Sequence, residues 1–285
     1  MAQADKKLKS FGFFGNKYEE AAELLEKAAN NYKLGKAWKQ AADAYRQLAG
    51  VHTKMDSKHD AASSYVEGAK ALMKVAPGEA VVLLQQAVEV YTDMGRLQMA
   101  ARQLKEIAEA QEKQGLKEEA ITFYNQAADL FATENSSSEA NKCRLKVAEF
   151  SAEVDRFADA AEIYEDVARA AADNNLLRFG ARGHLLCAGV CVLCHANDED
   201  VRARIERYKD IDLQFSGSRE AILLEAVADA LAQCDEKAFA TAVAEFDSMT
   251  RLDAWKTNML LKVKRRIQAR ASGEEPGAES EDEVL

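Results

Sequence analysis

Proline, glycine and aromatic residues are scarce: the 285 residues include 2 prolines and 14 glycines, and aromatics make up 7%. So few breakers and strand formers exclude collagen-like and all-β folds and leave a composition dominated by helix formers. The prolines are Pro77 and Pro276, so no pyrrolidine ring interrupts a helix between them. Long apolar runs are missing too. Nothing approaches the roughly 18 residues of a membrane span, and the opening MAQADKKLKS lacks an apolar signal core. The expectation is a soluble, cytoplasmic protein. Nor is there an excess of positive charge: 38 basic against 48 acidic residues give −10, which argues against wholesale nucleic-acid binding.

The signs of chemistry are thin. Five cysteines, Cys143, Cys187, Cys191, Cys194 and Cys234, read as reduced thiols on helices with no disulfide. CVLCH (191–195) matches the CxxCH pattern of haem attachment, but Cys187, Cys191 and Cys194 fall at i, i+4, i+7 of an apolar run. That spacing suits a core-facing stripe, and His195 points about 100° away from it. GFFGNK (12–17) does not satisfy GxxxxGK[ST], and no strand precedes it. The four histidines, His52, His59, His184 and His195, have no triad-like context. Neither a metal, a cofactor nor a catalytic residue is expected.

What the chain does have is internal repetition. Ala80, Ala120 and Ala160 recur at one fixed interval in EAVVLLQQAVEVY, EAITFYNQAADLF and DAAEIYEDVARAA, each with apolar residues at i, i+3, i+4, i+7, the mark of an amphipathic helix. Between them, MAARQLKEIAEA and EANKCRLKVAEF place Ala100 and Ala140 at the same interval. The repeat is therefore a helical hairpin, longer than the standard tetratricopeptide unit of about 34 residues. EEAAELLEKAANNY, KQAADAYRQLA and DAASSYVEGAKAL extend the beat back to about residue 18. Small alanines let neighbouring helices approach while Tyr, Phe and Leu fill the grooves. The expected fold is all-α, a TPR-like solenoid of helical hairpins over 18–180, forming a twisted sheet of antiparallel helices. A C-terminal bundle over 181–270 caps it, with helices expected at 180–196, 198–209, 218–234, 236–249 and 252–270.

Both ends depart from this pattern. Residues 1–17 read as a flexible region in which Phe11, Phe13 and Phe14 stand among glycines. Their rings either fold back on the first helices or insert weakly into a bilayer, at up to ~1.5–3 kcal/mol each before ordering costs. Residues 271–285 read as a disordered acidic tail, since GEEPGAESEDEVL has six acids and no base. The basic residues Arg102, Lys142 and Arg182 keep the interval of the alanines. With Lys146, Lys36, Lys74 and Arg96 they suggest a positive stripe suited to an elongated acidic partner, the alternative being ordinary solvated surface.

Four stretches, SKHDAA (57–62), YTDMGR (91–96), ANKCRLKVA (140–148) and DSMTRLDAWKTNMLL (247–261), are similar to signature segments of the soluble NSF attachment proteins, alpha type, in order and distance. The resemblance covers nearly the whole chain. It implies a non-enzymatic adaptor that coats the assembled SNARE four-helix bundle, made of syntaxin-like, SNAP-25-like and synaptobrevin-like helices. The adaptor recruits the hexameric ATPase NSF, which disassembles the bundle in vesicle trafficking and membrane fusion. Matched position by position, SNARE-facing residues would be Lys36, Lys74, Arg96, Arg102, Lys142, Lys146, Arg182 and Arg219, with Leu176 as an apolar contact. Phe13 and Phe14, assisted by Phe11 and Leu8, would touch the membrane weakly. NSF-facing residues would be Asp198, Asp229, Asp282, Glu283 and Leu285. The chain departs from the family in having fewer residues before the Phe loop, a longer tail, and its leucine last instead of next to last. A generic helical-repeat peptide-binding scaffold is the alternative.

Overall fold

The computed structural model describes residues 1–9 and 16–273, and among these it contains fourteen helices and no strand. In chain order they are α1 (Ala2–Lys9), α2 (Asn16–Leu34), α3 (Trp38–Lys54), α4 (Lys58–Leu72), α5 (Pro77–Asp93), α6 (Leu97–Lys113) and α7 (Lys117–Thr133). They continue with α8 (Ser137–Glu153), α9 (Phe157–Ala172), α10 (Arg178–His195), α11 (Asp198–Ile211), α12 (Arg219–Gln233), α13 (Glu236–Met249) and α14 (Ala254–Ser272). The architecture is all-α, with TPR-like hairpins followed by a helical bundle. The chain divides into two compact units within α8, Met1–Cys143 and Arg144–Leu285. No described helix is long and apolar enough to cross a membrane.

In the first unit each helix from α2 to α7 packs on its chain neighbour. The alanine beat marks the seams: Ala21, Ala41, Ala61, Ala80, Ala100, Ala120 and Ala140 are all buried to 1% exposure or less. Larger side chains fill the space between, with Leu84, Ile107, Tyr124 and Phe131 fully buried. The turns follow the same beat. Left-handed residues stand at Lys36, Asp56, Gly95, Gly115 and Asn135, and again at Asp155 at the start of the second unit. In each case the next residue donates its N–H to the carbonyl five residues back, at 2.8–3.0 Å (Ala37 to Tyr32, Arg96 to Tyr91, Ser136 to Phe131). This hydrogen bond closes the preceding helix in a Schellman-type end. The same residue's carbonyl then accepts the first bond of the following helix, from Ala41, Ala100 or Ala140. One residue thus ends one helix and starts the next. The turn before α5 differs: no left-handed residue stands there, and Pro77, after Ala76 at φ −152°, takes the first helical position.

The N-terminal reading needs correction, because Ala2–Lys9 is helical and not a flexible lead. α1 packs on α2, with Ala4 fully buried in a cluster with Leu25 and Ala29. Lys7 pairs with Glu20. Leu8 packs partly buried against that cluster. The segment is so polar that its two apolar contacts carry no period, which hides the helix from sequence.

The second unit is organised around α10, which contacts α9, α11, α12 and α14. Every residue from Leu185 to Leu193 is buried, so the helix is apolar on all sides, as a central helix must be. Gly189 permits the closest approach: a Cβ there would stand 2.3 Å from Leu224 Cδ1 of α12. The helices from α10 onward fall within two residues of the bounds expected from sequence. Glu165 of α9 is 4% exposed and accepts hydrogen bonds from Arg204 (2.7 Å) and Tyr208 (2.8 Å) of α11. Arg266 of α14 donates to the carbonyls of Leu193 (2.8 Å) and Ala196 (2.7 Å), closing the end of α10. Lys262 does the same for α8, reaching Ala152 O at 3.2 Å and Glu153 O at 3.4 Å.

Candidate partner-binding surfaces

In the first unit, Arg102 and Lys142 are each the sixth residue of their helices, α6 and α8. Both are exposed. Arg102 opens onto a groove of about 310 Å³ lined also by Gln98, Lys105, Glu106, Glu109, Phe131 and Glu139. Glu139 accepts from Lys105 at 3.0 Å and from Lys142 at 2.6 Å. The bonds from Lys142 and then Lys105 hold its carboxyl below the usual range. Burial pulls the Lys105 ammonium down, but Glu139 outweighs it and the net shift is upward. Arg102 has no carboxylate within 4 Å among the described residues. Burial, reinforced by neighbouring Glu109, raises Glu106 despite nearby Lys70. Sequence reading missed Lys105, although it lies one turn beyond Arg102 on the same face.

The remaining cations of this unit do not stand in file with these. Lys74 and Arg96 bracket α5, whose 17 residues separate its ends by about 25 Å. Lys36 stands, like Lys74, in a turn that leads into an odd-numbered helix. Lys74 lies over the Trp38 ring, 3.9 Å from its centroid. Lys36 and Arg96 are exposed, and no carboxylate lies within 4 Å of either among the described residues.

Most candidate residues of the second unit fall at its two ends. At the end where α10 and α12 begin stand Arg182, Arg219 and Leu176, the last 89% exposed. Leu177, Phe179, Leu213, Ile222 and Met249 are exposed at the same end. Arg219 donates to Thr250 Oγ1 at 3.1 Å and pairs with no described carboxylate. Lys146 on α8 pairs with Glu149 at 3.2 Å. At the opposite end are Asp198, Glu199 and Asp200 in the first turn of α11, and Asp229 near the end of α12. Two of these acids are answered within the unit: Asp198 by Arg270 at 2.7 Å, Asp229 by Arg202 at 3.4 Å. Phe11, Phe13, Phe14, Asp282, Glu283 and Leu285 lie outside the described residues.

Burial keeps the thiols of the Cys187, Cys191 and Cys194 stripe protonated. Burial pushes Cys187 and Cys194 up to about 12 and Cys191 well above its ordinary value, the reverse of a ligating thiolate. His195 turns away from them, donating from Nδ1 to Cys191 O at 2.9 Å and stacking on Phe157. No group of three or more His, Cys, Asp or Glu able to hold a metal occurs among the described residues.

Comparison with known proteins agrees with this architecture. Residues 1–268 match the family model described as soluble NSF attachment protein, SNAP. The chain is 43% identical over 268 residues to an alpha-soluble NSF attachment protein of Vitis vinifera, covering 94% of this chain and 93% of that one. A beta-soluble NSF attachment protein of Bos taurus is 39% identical, with 96% and 94% covered. A probable vesicular-fusion protein sec17 homolog of Schizosaccharomyces pombe is 36% identical, with 94% and 95% covered. The chain belongs to the soluble NSF attachment protein family.

Proposed function

We propose that the chain is a non-enzymatic adaptor for NSF in vesicle fusion. It grips the assembled SNARE bundle through its basic residues and presents its acidic C-terminal end to the ATPase. The observation that carries this reading is the matched placement of Arg102 and Lys142, exposed at the same register of two repeat helices beside a polar groove. Charges repeated at that interval complement a long acidic coil and set its orientation and on-rate. Lys36, Lys74, Arg96, Lys146, Arg182 and Arg219 add to the grip, with Leu176 as an apolar contact. Asp198, Asp229, Asp282, Glu283 and Leu285 face NSF. Phe11, Phe13 and Phe14 touch the cytosolic leaflet, and this weak contact gains effect once the SNARE grip makes it intramolecular.

Reversing Lys142 and Arg182 to Glu tests the reading in a pulldown of soluble SNARE bundle. Binding falls at least about tenfold and fails at lower salt; unchanged affinity refutes the basic grip. Phe13→Ser with Phe14→Ser slows NSF-driven disassembly on liposomes and spares soluble complexes. Equal losses in both assays make the rings structural. Removing the last few residues lowers stimulated ATP hydrolysis and leaves SNARE binding intact.

A further inference from the structure

Two carboxylates in the first unit are held in the same way. Glu67 of α4 accepts from Lys33 of α2 and from Lys70 one turn ahead, each at 2.9 Å. Glu139 of α8 accepts from Lys105 of α6 and from Lys142 one turn ahead. The second trio repeats the first with every member moved along the chain by the same step, Lys33 to Lys105, Glu67 to Glu139 and Lys70 to Lys142. Each clamps two like-layered helices across the one between them. Burial disfavours the ionised form of Glu67, yet Lys33 and Lys70 outweigh it and hold the carboxyl below its usual range. The trios differ in what lies beside them: Arg102, exposed and without a carboxylate, stands next to the second.

Building on the proposed basic grip, we infer that Glu139 is a positioning and specificity-determining residue, an internal carboxylate that occupies Lys142 until a partner displaces it. Lys105 keeps Glu139 satisfied after the exchange, so Lys142 changes acceptor without leaving a bare charge behind. A tethered carboxylate competes at high effective concentration, so an isolated acidic side chain loses to it. A coil that engages Arg102 first brings its next carboxylate to Lys142 intramolecularly and displaces Glu139. Arg102 is the unconditional contact and Lys142 the conditional one, which selects a rigid array of acids over scattered ones.

The test compares Glu139→Gln with Glu67→Gln in the full chain, titrated with the soluble assembled SNARE bundle at low and physiological salt. Glu139→Gln binds about twofold to fivefold tighter, the value of releasing one exposed ion pair, and with a steeper salt dependence. Glu67→Gln lowers the melting temperature comparably and leaves affinity unchanged. The gain disappears when Glu139→Gln is placed in a Lys142→Gln background. Unchanged or weaker binding by Glu139→Gln, or an equal gain from Glu67→Gln, overturns the inference. Should Glu139→Gln fail to fold, single substitutions decide: Arg102→Gln weakens binding more than Lys142→Gln, and the reverse order overturns the inference. Arg102→Glu separates the two levels. If it leaves affinity unchanged, the basic grip itself is wrong; if it weakens binding while Glu139→Gln has no effect, only the carboxylate exchange is wrong.

Discussion

The repeat helices and most of the bundle helices begin by different physics. None of α3, α4, α5, α6, α7 and α9 has a side-chain N-cap; the positions are Ala37, Ser57, Ala76, Arg96, Leu116 and Arg156. Except before α5, their starts are served mainly by backbone, through the left-handed residue ahead of them and the bond that follows it. Each of α11, α12, α13 and α14 does have a side-chain cap, from Asn197, Ser218, Asp235 and Asp253. Distant cations close other ends in this unit, as Arg266 does for α10. A repeating backbone splice reproduces one geometry at every step, whereas most helix starts of the bundle, where the chain changes direction at each loop, carry their own polar cap. The helix α10, after Leu177, is uncapped, and α12 passes to α13 through the same splice, with Cys234 left-handed and Asp235 N donating to Ala230 O at 2.9 Å.

The largest break in this comparison comes from Arg266→Met. It strips two charge-assisted hydrogen bonds from carbonyls at the end of α10, and urea unfolding should show a loss of about 3 kcal/mol. Gly189→Ala follows, at about 1–3 kcal/mol, because the new methyl forces Leu224 aside in a packed interior. A loss below about 0.5 kcal/mol in thermal or urea unfolding would mean that α10 and α12 slide apart freely, against the usual stiffness of such cores. The caps give a smaller and sharper contrast. Asp235 accepts from Lys237 N at 2.8 Å and Ala238 N at 3.0 Å, so Asp235→Ala should cost about 1 kcal/mol. Ser57 holds the same nominal position before α4 but makes no side-chain cap bond. Ser57→Ala should therefore stay within about 0.5 kcal/mol of the parent, and equal losses at the two sites would erase the distinction.

The same contrast explains what the sequence made legible. The repeat was readable because one feature, a buried alanine with a turn residue just before it, recurs from Ala41 to Ala160, and Gly95, Gly115 and Asn135 are residue types that turns favour. Arg102 and Lys142 share a register for the same reason. The clamping of Lys142 by Glu139 was not readable, since α6 and α8 touch across an intervening helix and no local pattern records that. Nothing local in the sequence shows that Asp198 and Asp229 are paired, because their arginines lie 72 and 27 residues away. The basic run KVKRRIQAR (262–270) carries no local sign of the helix ends it serves. Lys262 and Arg266 spend their donors on the ends of α8 and α10, and Arg270 pairs with Asp198.

The smallest effect has the opposite sign. Of the left-handed turn residues in the repeats, Asp56, Gly95, Gly115, Asn135 and Asp155 are types that tolerate positive φ, whereas Lys36 (φ 55°) is not. The strained residue is Lys36 and not Gly35 beside it, because the bond from Ala37 N to Tyr32 O fixes which position closes α2. Lys36→Gly relieves that strain and should raise stability by about 0.5–1 kcal/mol, read as a higher urea midpoint at unchanged slope. Gly95→Lys should lose a similar amount, since it moves the strain to a turn that now lacks it. If Lys36→Gly is neutral, the backbone splice tolerates any residue, and the periodic turn chemistry of the repeats follows from the alanine seams alone.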